Sequence, residues 1–215
     1  MLALGGLLVG ALWFLPRFVG PPVLGQAILA VTFLYGLLLV MAASLGSQQH
    51  ELRDAVWFLI PLSLCQLLPD AMLVRTFGVL NFPDLGAPRM QSVPWYMGGL
   101  WVAPLLVVIW LAELAHARSA ILAMVVAALA SVVVFGAAEY FAPSFKLWTP
   151  RNVWTVRGVA PYVLVAETAL GVTAWLMFTQ VQGRAVPVKV LGAAAVSVFY
   201  AGALIGSLHA VRLVR

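Results

Sequence analysis

Long apolar runs dominate the hydrophobic pattern of this chain, and charged residues interrupt them only rarely. A membrane-spanning helix needs about 20 mostly apolar residues, each adding about 1.5 Å. We expect seven spanning helices, with no stretch left over for a soluble domain, so the sequence predicts one all-α transmembrane bundle over residues 1–215. The predicted spans are about residues 1–15, 22–46, 55–74, 94–114, 119–142, 159–181 and 187–211.

Composition agrees with this prediction and narrows the class of partner. The chain is 64% hydrophobic and 9% charged, with a net charge of +5. Its basic residues are single and scattered, which does not favour nucleic-acid binding. The expected partners are the lipid bilayer and a lipophilic small molecule. A homo- or hetero-oligomer in the membrane is also compatible with the sequence. If the N-terminus lies outside, eight of the 12 Lys and Arg residues face the cytoplasm, which predicts a multi-pass inner-membrane protein with a cytoplasmic C-terminus.

Two connections between predicted spans are much longer than the others and are rich in Pro, Gly, Asn and aromatic residues. Each follows an acidic residue, Asp70 or Glu139, and ends at a proline, Pro94 or Pro161, 24 or 22 residues later. This parallel suggests an internal pseudo-repeat, and membrane folds often build a site where two repeats meet. We expect ordered loops at the membrane surface, with each proline opening the next span. The two loops are residues 75–93 and 143–158.

Three carboxylates fall inside or at the ends of predicted spans: Asp70, Glu139 and Glu167. An ionised group at membrane depth is unfavourable unless it is paired, hydrated or protonated. The predicted topology puts all three in the same half of the bundle, where they are candidate catalytic residues. A protonated carboxylic acid beside an ionised one is a common acid–base pair.

Ordinary salt bridges at the membrane interface are the alternative explanation for two of these acids. Glu167 differs, because no basic residue lies within one helical turn of it. The candidate basic partners are Arg75 for Asp70, and Arg151 or Arg157 for Glu139.

Metal and cofactor motifs are not found in the sequence. The three histidines are far apart, Cys65 is the only cysteine, and no Gly-rich phosphate loop or dinucleotide fingerprint occurs. We therefore expect neither a metal site nor a bound cofactor.

Aromatic and amide side chains near the three acids are candidates for substrate binding. Aromatic faces stabilise cations, so an apolar pocket with aromatic walls and a protonated acid suits carbocation chemistry on a polyene. The alternative is the ordinary belt of aromatic residues at the membrane interface. The candidates are Trp95, Tyr96, Trp101, Tyr140, Tyr162, Asn81 and Asn152.

The first acidic unit, Asp70 to Trp101 (D-x6-FGVLNFPDLGAPRMQSVPWYMGGLW), resembles the CruF-type membrane proteins of carotenoid biosynthesis. The second, Glu139 to Trp175, is similar to that family's second acidic motif, with Gly158-Val159-Ala160-Pro161 at the helix start. The resemblance implies a multi-span enzyme that hydrates a terminal double bond without a redox cofactor. Membrane terpene cyclases of fungal meroterpenoid pathways are similar in broad plan, with seven spans and a pair of acids.

Together these features predict a membrane enzyme that protonates a C=C bond of an isoprenoid, followed by hydration or cyclisation. Asp70 and Glu139 would form the acid–base pair, and Glu167 would be the buried proton donor or would stabilise the positive charge. Two other functions fit the same sequence. One is a non-catalytic subunit that binds pigment or lipid or scaffolds a larger complex, and the other is a proton-coupled carrier.

Overall fold

Apolar helices make up most of the described chain, residues 2–45 and 50–213 of this computed structural model. In these ranges, six helical stretches are long and apolar enough to cross a membrane, which confirms the predicted all-α membrane bundle. The helices are α1 (Leu2–Phe18), α2 (Pro21–Leu45), α3 (His50–Cys65), α4 (Leu67–Arg75), α5 (Met97–Leu100), α6 (Val102–His116), α7 (Ala120–Phe141), α8 (Pro161–Val181) and α9 (Val186–Leu213).

Several helix boundaries differ from those predicted. The first helix, α1, has 17 residues and is not among the six stretches that are long enough to cross a membrane. Helices α3 and α4 form a single span, His50–Arg75, and α5 and α6 form another, Met97–His116. Pro161 is the first residue of α8, as predicted. The prediction that Pro94 opens a span is wrong, because Pro94 lies in a short strand and the helix begins at Met97.

The outer surface of the bundle is apolar. Large hydrophobic side chains there are exposed to an extent that would favour aggregation in water but suits contact with lipid chains. Examples are Phe33, Leu129, Val133, Leu191 and Val198.

Pro69 marks the step between α3 and α4. Proline has no N–H, so the C=O of Cys65 four residues earlier loses its helical donor. Ser197 in α9 replaces that donor, its Oγ lying 3.1 Å from the Cys65 oxygen. The helical register is nevertheless kept, since the Asp70 N–H donates to the Gln66 C=O at 3.1 Å. The Ser197 bond therefore ties the end of α3, just before α4, to α9.

The two long loops pair with each other over one end of the bundle, and we call them together the loop cap, residues 76–96 and 142–160. Strand β1 (Leu80–Asn81) of the first loop pairs antiparallel with β4 (Thr149–Pro150) of the second. Within the first loop, β2 (Arg89–Met90) pairs with β3 (Val93–Pro94). The predicted loops are therefore ordered and lie on the same side of the bundle, while the pseudo-repeat stays a prediction.

A glycine contact attaches the loop cap to α2. The Gly25 N–H donates to the Leu85 C=O at 2.7 Å. Gly86 has a φ of +76°, and a Cβ there would collide with the backbone oxygen of Pro22. Only glycine allows both this backbone conformation and this close approach.

Candidate active site

Asp70, Glu139 and Glu167 line one cavity beneath the loop cap. They come from three different helices, α4, α7 and α8, and their exposed fractions are 3%, 7% and 3%. The sequence separates these acids by up to 97 positions, so only the packing of the helices brings them together. The other lining residues are Leu73, Val79, Leu80, Phe82, Met97, Trp101, Trp148, Pro150, Ala160, Tyr162, Val163 and Tyr200.

None of the three acids forms an ion pair. The ion pairs of the described residues are Arg89 with Asp84 and Lys189 with Asp54, and neither involves the cavity. The alternative prediction, that the acids pair with arginines at the membrane interface, is therefore wrong for the described part of the chain. Three buried carboxylates without a cation need another source of stability, which a shared proton or a bound polar ligand supplies.

Glu139 is held from above by the loop cap. The indole Nε1 of Trp148 donates a hydrogen bond to Glu139 Oε1 at 2.9 Å. Asp70 Oδ2 and Glu167 Oε2 are fully buried and have no hydrogen-bond partner among the described residues. One oxygen of each of these two acids therefore remains free for a ligand or a proton.

Close packing of α7 against α8 sets the relative positions of Glu139 and Glu167. Gly171, one turn after Glu167, faces Ser131 so closely that a Cβ at position 171 would overlap the Ser131 Oγ. Ser131 turns its hydroxyl back to the Ala127 C=O at 2.7 Å, which leaves no polar group exposed at this contact. Small residues of this kind allow membrane helices to approach closely.

Aromatic side chains form much of the cavity wall. Trp101 lies between Phe135 and Tyr200, with ring-centre distances of 5.6 and 5.7 Å. Trp101, Tyr162 and Tyr200 line the cavity and are buried. Aromatic rings carry a negative electrostatic potential on their faces, which attracts cations.

Tyr96 does not line the cavity but braces the loop cap. It is completely buried, and its hydroxyl donates to the Leu147 C=O at 3.4 Å. Burial raises the pKa of Tyr96 to about 12, so the phenol stays protonated and keeps donating at neutral pH. The bond links the end of the first loop to the second loop.

The remaining predicted binding residues lie at the surface. Trp95 and Tyr140 are 41% and 54% exposed and are not among the lining residues. Asn81 and Asn152 are also exposed. Asn152 Nδ2 donates to the Gly78 C=O at 3.1 Å and so ties the two loops together from outside. None of these four side chains is placed to touch a molecule inside the cavity.

Sequence reasoning missed Tyr200, a prominent lining residue. Tyr200 had a usable signal, because it is a polar ring in the middle of a long apolar helix. Trp148 is recognisable in the sequence only as one of the aromatic residues near the acids, since its contact with Glu139 depends on how its loop folds back.

The cavity leaves about 30 Å³ of free space. That volume holds roughly one or two water molecules and no isoprenoid chain. No group of three or more His, Cys, Asp and Glu in the described ranges is arranged to hold a metal ion. The arrangement supplies carboxylic acids, aromatic faces and a little polar space, which are the components of proton-transfer chemistry.

A second buried charged site lies at the other end of the bundle. Lys189 Nζ of α9 is 2.6 Å from Asp54 Oδ1 of α3, and the Gly183 N–H donates to Asp54 Oδ2. The Lys189 and Asp54 side chains are only 5% and 10% exposed. Both oxygens of this carboxylate are therefore occupied by protein donors, and the charge is balanced.

Comparison with known proteins gives a family but no function. No curated protein and no solved structure matches the chain. One family model, described as a domain of unknown function (DUF6989), matches residues 67–211, about two thirds of the chain. The matched region contains all three cavity carboxylates and the whole loop cap. The chain therefore belongs to the family of the domain of unknown function DUF6989.

Proposed function

We propose that this protein is a membrane-embedded acid–base enzyme that protonates a C=C bond of a lipophilic isoprenoid and then directs hydration or cyclisation. The observation that carries the proposal is the meeting of Asp70, Glu139 and Glu167 in one apolar cavity that no Lys, Arg or His lines. Three carboxylates at this depth are compatible with folding when protons offset their charge. A protonated carboxylic acid in such a cavity is the reagent that alkene protonation requires.

Glu167 is the proton donor in this proposal. Its Oε2 is buried without a partner, so a proton there is not already committed to a protein acceptor. The π electrons of the alkene take this proton to form a C–H bond, and the neighbouring carbon becomes a cation. The rings of Trp101 and Tyr162 and the negative charge on Glu139 stabilise that cation.

Two endings complete the reaction without any change in oxidation state. In hydration, a water molecule adds its oxygen to the cation and gives a proton to Asp70. In cyclisation, a second C=C bond attacks the cation, and the proton finally lost from carbon goes to Asp70. Return of that proton to Glu167 regenerates the starting enzyme. Asp70 Oδ2, buried without a partner, suits the acceptor role.

The loop cap limits how a substrate reaches the cavity, and the distribution of Lys and Arg indicates how the protein is oriented in the membrane. The closed cavity is too small for an isoprenoid, so the two loops separate when substrate enters from the lipid. The positive-inside rule supports a cap on the cytoplasmic side of the cell inner membrane. The resemblance of the two acidic units to CruF-type proteins supports an isoprenoid as substrate.

Deuterium incorporation tests the reaction directly. The purified protein is incubated in D₂O with an isoprenoid lipid extract, and the products are examined by mass spectrometry. In the first turnover, protonation of a C=C bond by deuterated Glu167 places one non-exchangeable deuterium on carbon, whichever ending follows. We expect a deuterated isoprenoid with the wild type and none with Glu167→Gln.

A matched substitution, Glu113→Gln, tests whether the loss of a carboxylate outside the cavity has the same effect. Glu113 lies outside the cavity, where its Oε1 accepts the Trp175 N–H at 2.7 Å. Glu113→Gln keeps that acceptor, and we expect it to retain wild-type incorporation. Equal incorporation by wild type and Glu167→Gln, or none by the wild type, would overturn the proposal and favour a non-catalytic lipid-binding subunit.

A further inference from the structure

The buried polar atoms without partners are concentrated around the acid cluster. Six such side-chain atoms occur among residues 8–45 and 50–213, and they belong to five residues. Three of these residues, Asp70, Trp101 and Glu167, line the cavity. The other two, Ser63 and Gln66, lie on the same span as Asp70. Native proteins leave few buried polar groups unpaired, so a concentration of them in one place is typical of a ligand-binding site.

Ser63, Gln66 and Asp70 share one face of their span. Their spacing of three and four residues puts them on neighbouring turns of a helix. The turns are continuous here, because the Gln66 N–H donates to the Leu62 C=O and the Asp70 N–H donates to the Gln66 C=O, both at 3.1 Å. Ser63 and Gln66 are completely buried and Asp70 is 3% exposed. A polar line therefore runs from the acid cluster to the middle of the His50–Arg75 span.

The chemistry of this line selects the kind of ligand. The Gln66 amide presents an unpaired donor and an unpaired acceptor, and the Ser63 hydroxyl is unpaired too. No charged side chain accompanies Ser63 and Gln66 on this face before Asp70. A neutral oxygen that both donates and accepts matches these groups, whereas an ion would lack a counter-charge.

We propose that Ser63 and Gln66 form a subsite for a neutral hydroxyl oxygen next to Asp70, occupied either by a water molecule or by the alcohol group of the lipid substrate. This deepens the proposed function and rests on it in one respect, that the neighbouring acids are the reacting groups. If the alcohol group of the lipid occupies the subsite, the substrate is an oxygen-bearing lipid. If water occupies it, the subsite holds the water molecule that is used for hydration.

The binding of two saturated lipids distinguishes a lipid alcohol from water as the occupant of the subsite. Phytanol and phytane have the same branched carbon skeleton, and only phytanol carries a hydroxyl. Neither has a C=C bond, so their binding is independent of turnover. We expect phytanol, at about ten times its Kd, to raise the Tm of the detergent-solubilised wild type by roughly 3–6 °C, and phytane to have a much smaller effect.

Gln66→Met is the decisive variant, because the side chains are similar in volume and Met cannot pair with a hydroxyl. If the lipid alcohol occupies the subsite, this variant loses the phytanol effect. If water occupies it, phytanol acts no differently from phytane, and Gln66→Met lowers the Tm of the lipid-free protein because a hydrogen-bonded amide is lost. Gln180→Met, which changes an exposed amide in α8, leaves both measurements unchanged.

Two results would overturn the subsite. One is a phytanol effect that survives Gln66→Met in full. The other is no alcohol selectivity together with an unchanged or higher Tm in Gln66→Met, as expected when an unpartnered amide is removed. Ser63→Ala, which removes one hydroxyl, gives a second test should Gln66→Met not fold: it weakens the phytanol effect or, with water bound, lowers the Tm. Phytanol has no C=C bond and cannot be protonated at carbon. A negative deuterium-incorporation experiment therefore leaves the phytanol result valid, and a negative phytanol experiment leaves the deuterium result valid.

Discussion

The two ends of the His50–Arg75 span carry buried aspartates in opposite situations. Asp54 has both oxygens bonded, to Lys189 and to the Gly183 N–H. Asp70, four to five turns later, has an unpartnered oxygen and shares its cavity with two further carboxylates and no cation. One site is complete within the protein, and the other is complete only with a proton or a ligand. The difference separates a structural ion pair from a site arranged for chemistry.

The largest expected effect comes from the cavity that Asp70 shares with Glu139 and Glu167. Glu167→Gln keeps the shape of the side chain but removes the transferable proton, and we expect turnover to fall about 10²–10⁴-fold. The unfolding temperature should change little, because no salt bridge or hydrogen bond is lost. Deuterium incorporation and thermal melting of the same preparations check both parts. A melting loss as large as that of an ion-pair variant would remove the contrast between the two ends.

At the paired end we expect a change in stability and not in chemistry. Lys189→Met leaves the Asp54 carboxylate buried without its cation, and we expect a loss of about 2–3 kcal/mol in the free energy of unfolding. This is below the range for fully enclosed pairs, since the pair adjoins an open cleft. Chemical unfolding in mild detergent measures it, with the exposed Arg118→Met as control. Turnover per folded molecule should match the wild type; a fall comparable to that of Glu167→Gln would show that the ends act together.

Helix packing next to the acid cluster gives a third test. Gly171→Ala places a methyl group against Ser131, and we expect a loss of about 1–3 kcal/mol together with reduced turnover, because Glu167 shifts relative to Glu139. Gly136→Ala in α7 is the matched control, since a Cβ there meets only Leu164 Cδ2 at 3.8 Å. Equal effects of the two substitutions on unfolding and turnover would show that this contact does not position the acids.

The smallest expected effect concerns the hydrogen bond from the loop cap. Trp148→Phe removes the indole donor to Glu139 Oε1 and keeps most of the ring. We expect about 1 kcal/mol less stability and a several-fold lower turnover. Trp57→Phe, an exposed ring in α3 at the paired end, should change neither quantity. Unchanged turnover in Trp148→Phe would limit this bond to closing the cap.

Most of the fold was predictable because it depends on local composition. Apolar runs of the right length identify spanning helices wherever they occur, and Pro161 marks a helix start through its own geometry. The same rule gave a wrong prediction at Pro94, because Pro94 lies in strand β3, which pairs with Arg89–Met90 before the helix begins. Strands of two residues carry too little pattern to be recognised in a sequence.

An apolar helical bundle with three acids in regions where charge is costly can be recognised from the order of residues alone, since hydropathy and ionisation belong to individual residues. Which of the acids meet depends on how the helices pack. Asp54 and Asp70 lie near opposite ends of one span, and the rotation and packing of α3, α4 and α9 give Asp54 a lysine and leave Asp70 in a cavity with Glu139 and Glu167. Helix rotation depends on contacts such as Gly171 with Ser131 and Ser197 with Cys65, which join residues distant along the chain.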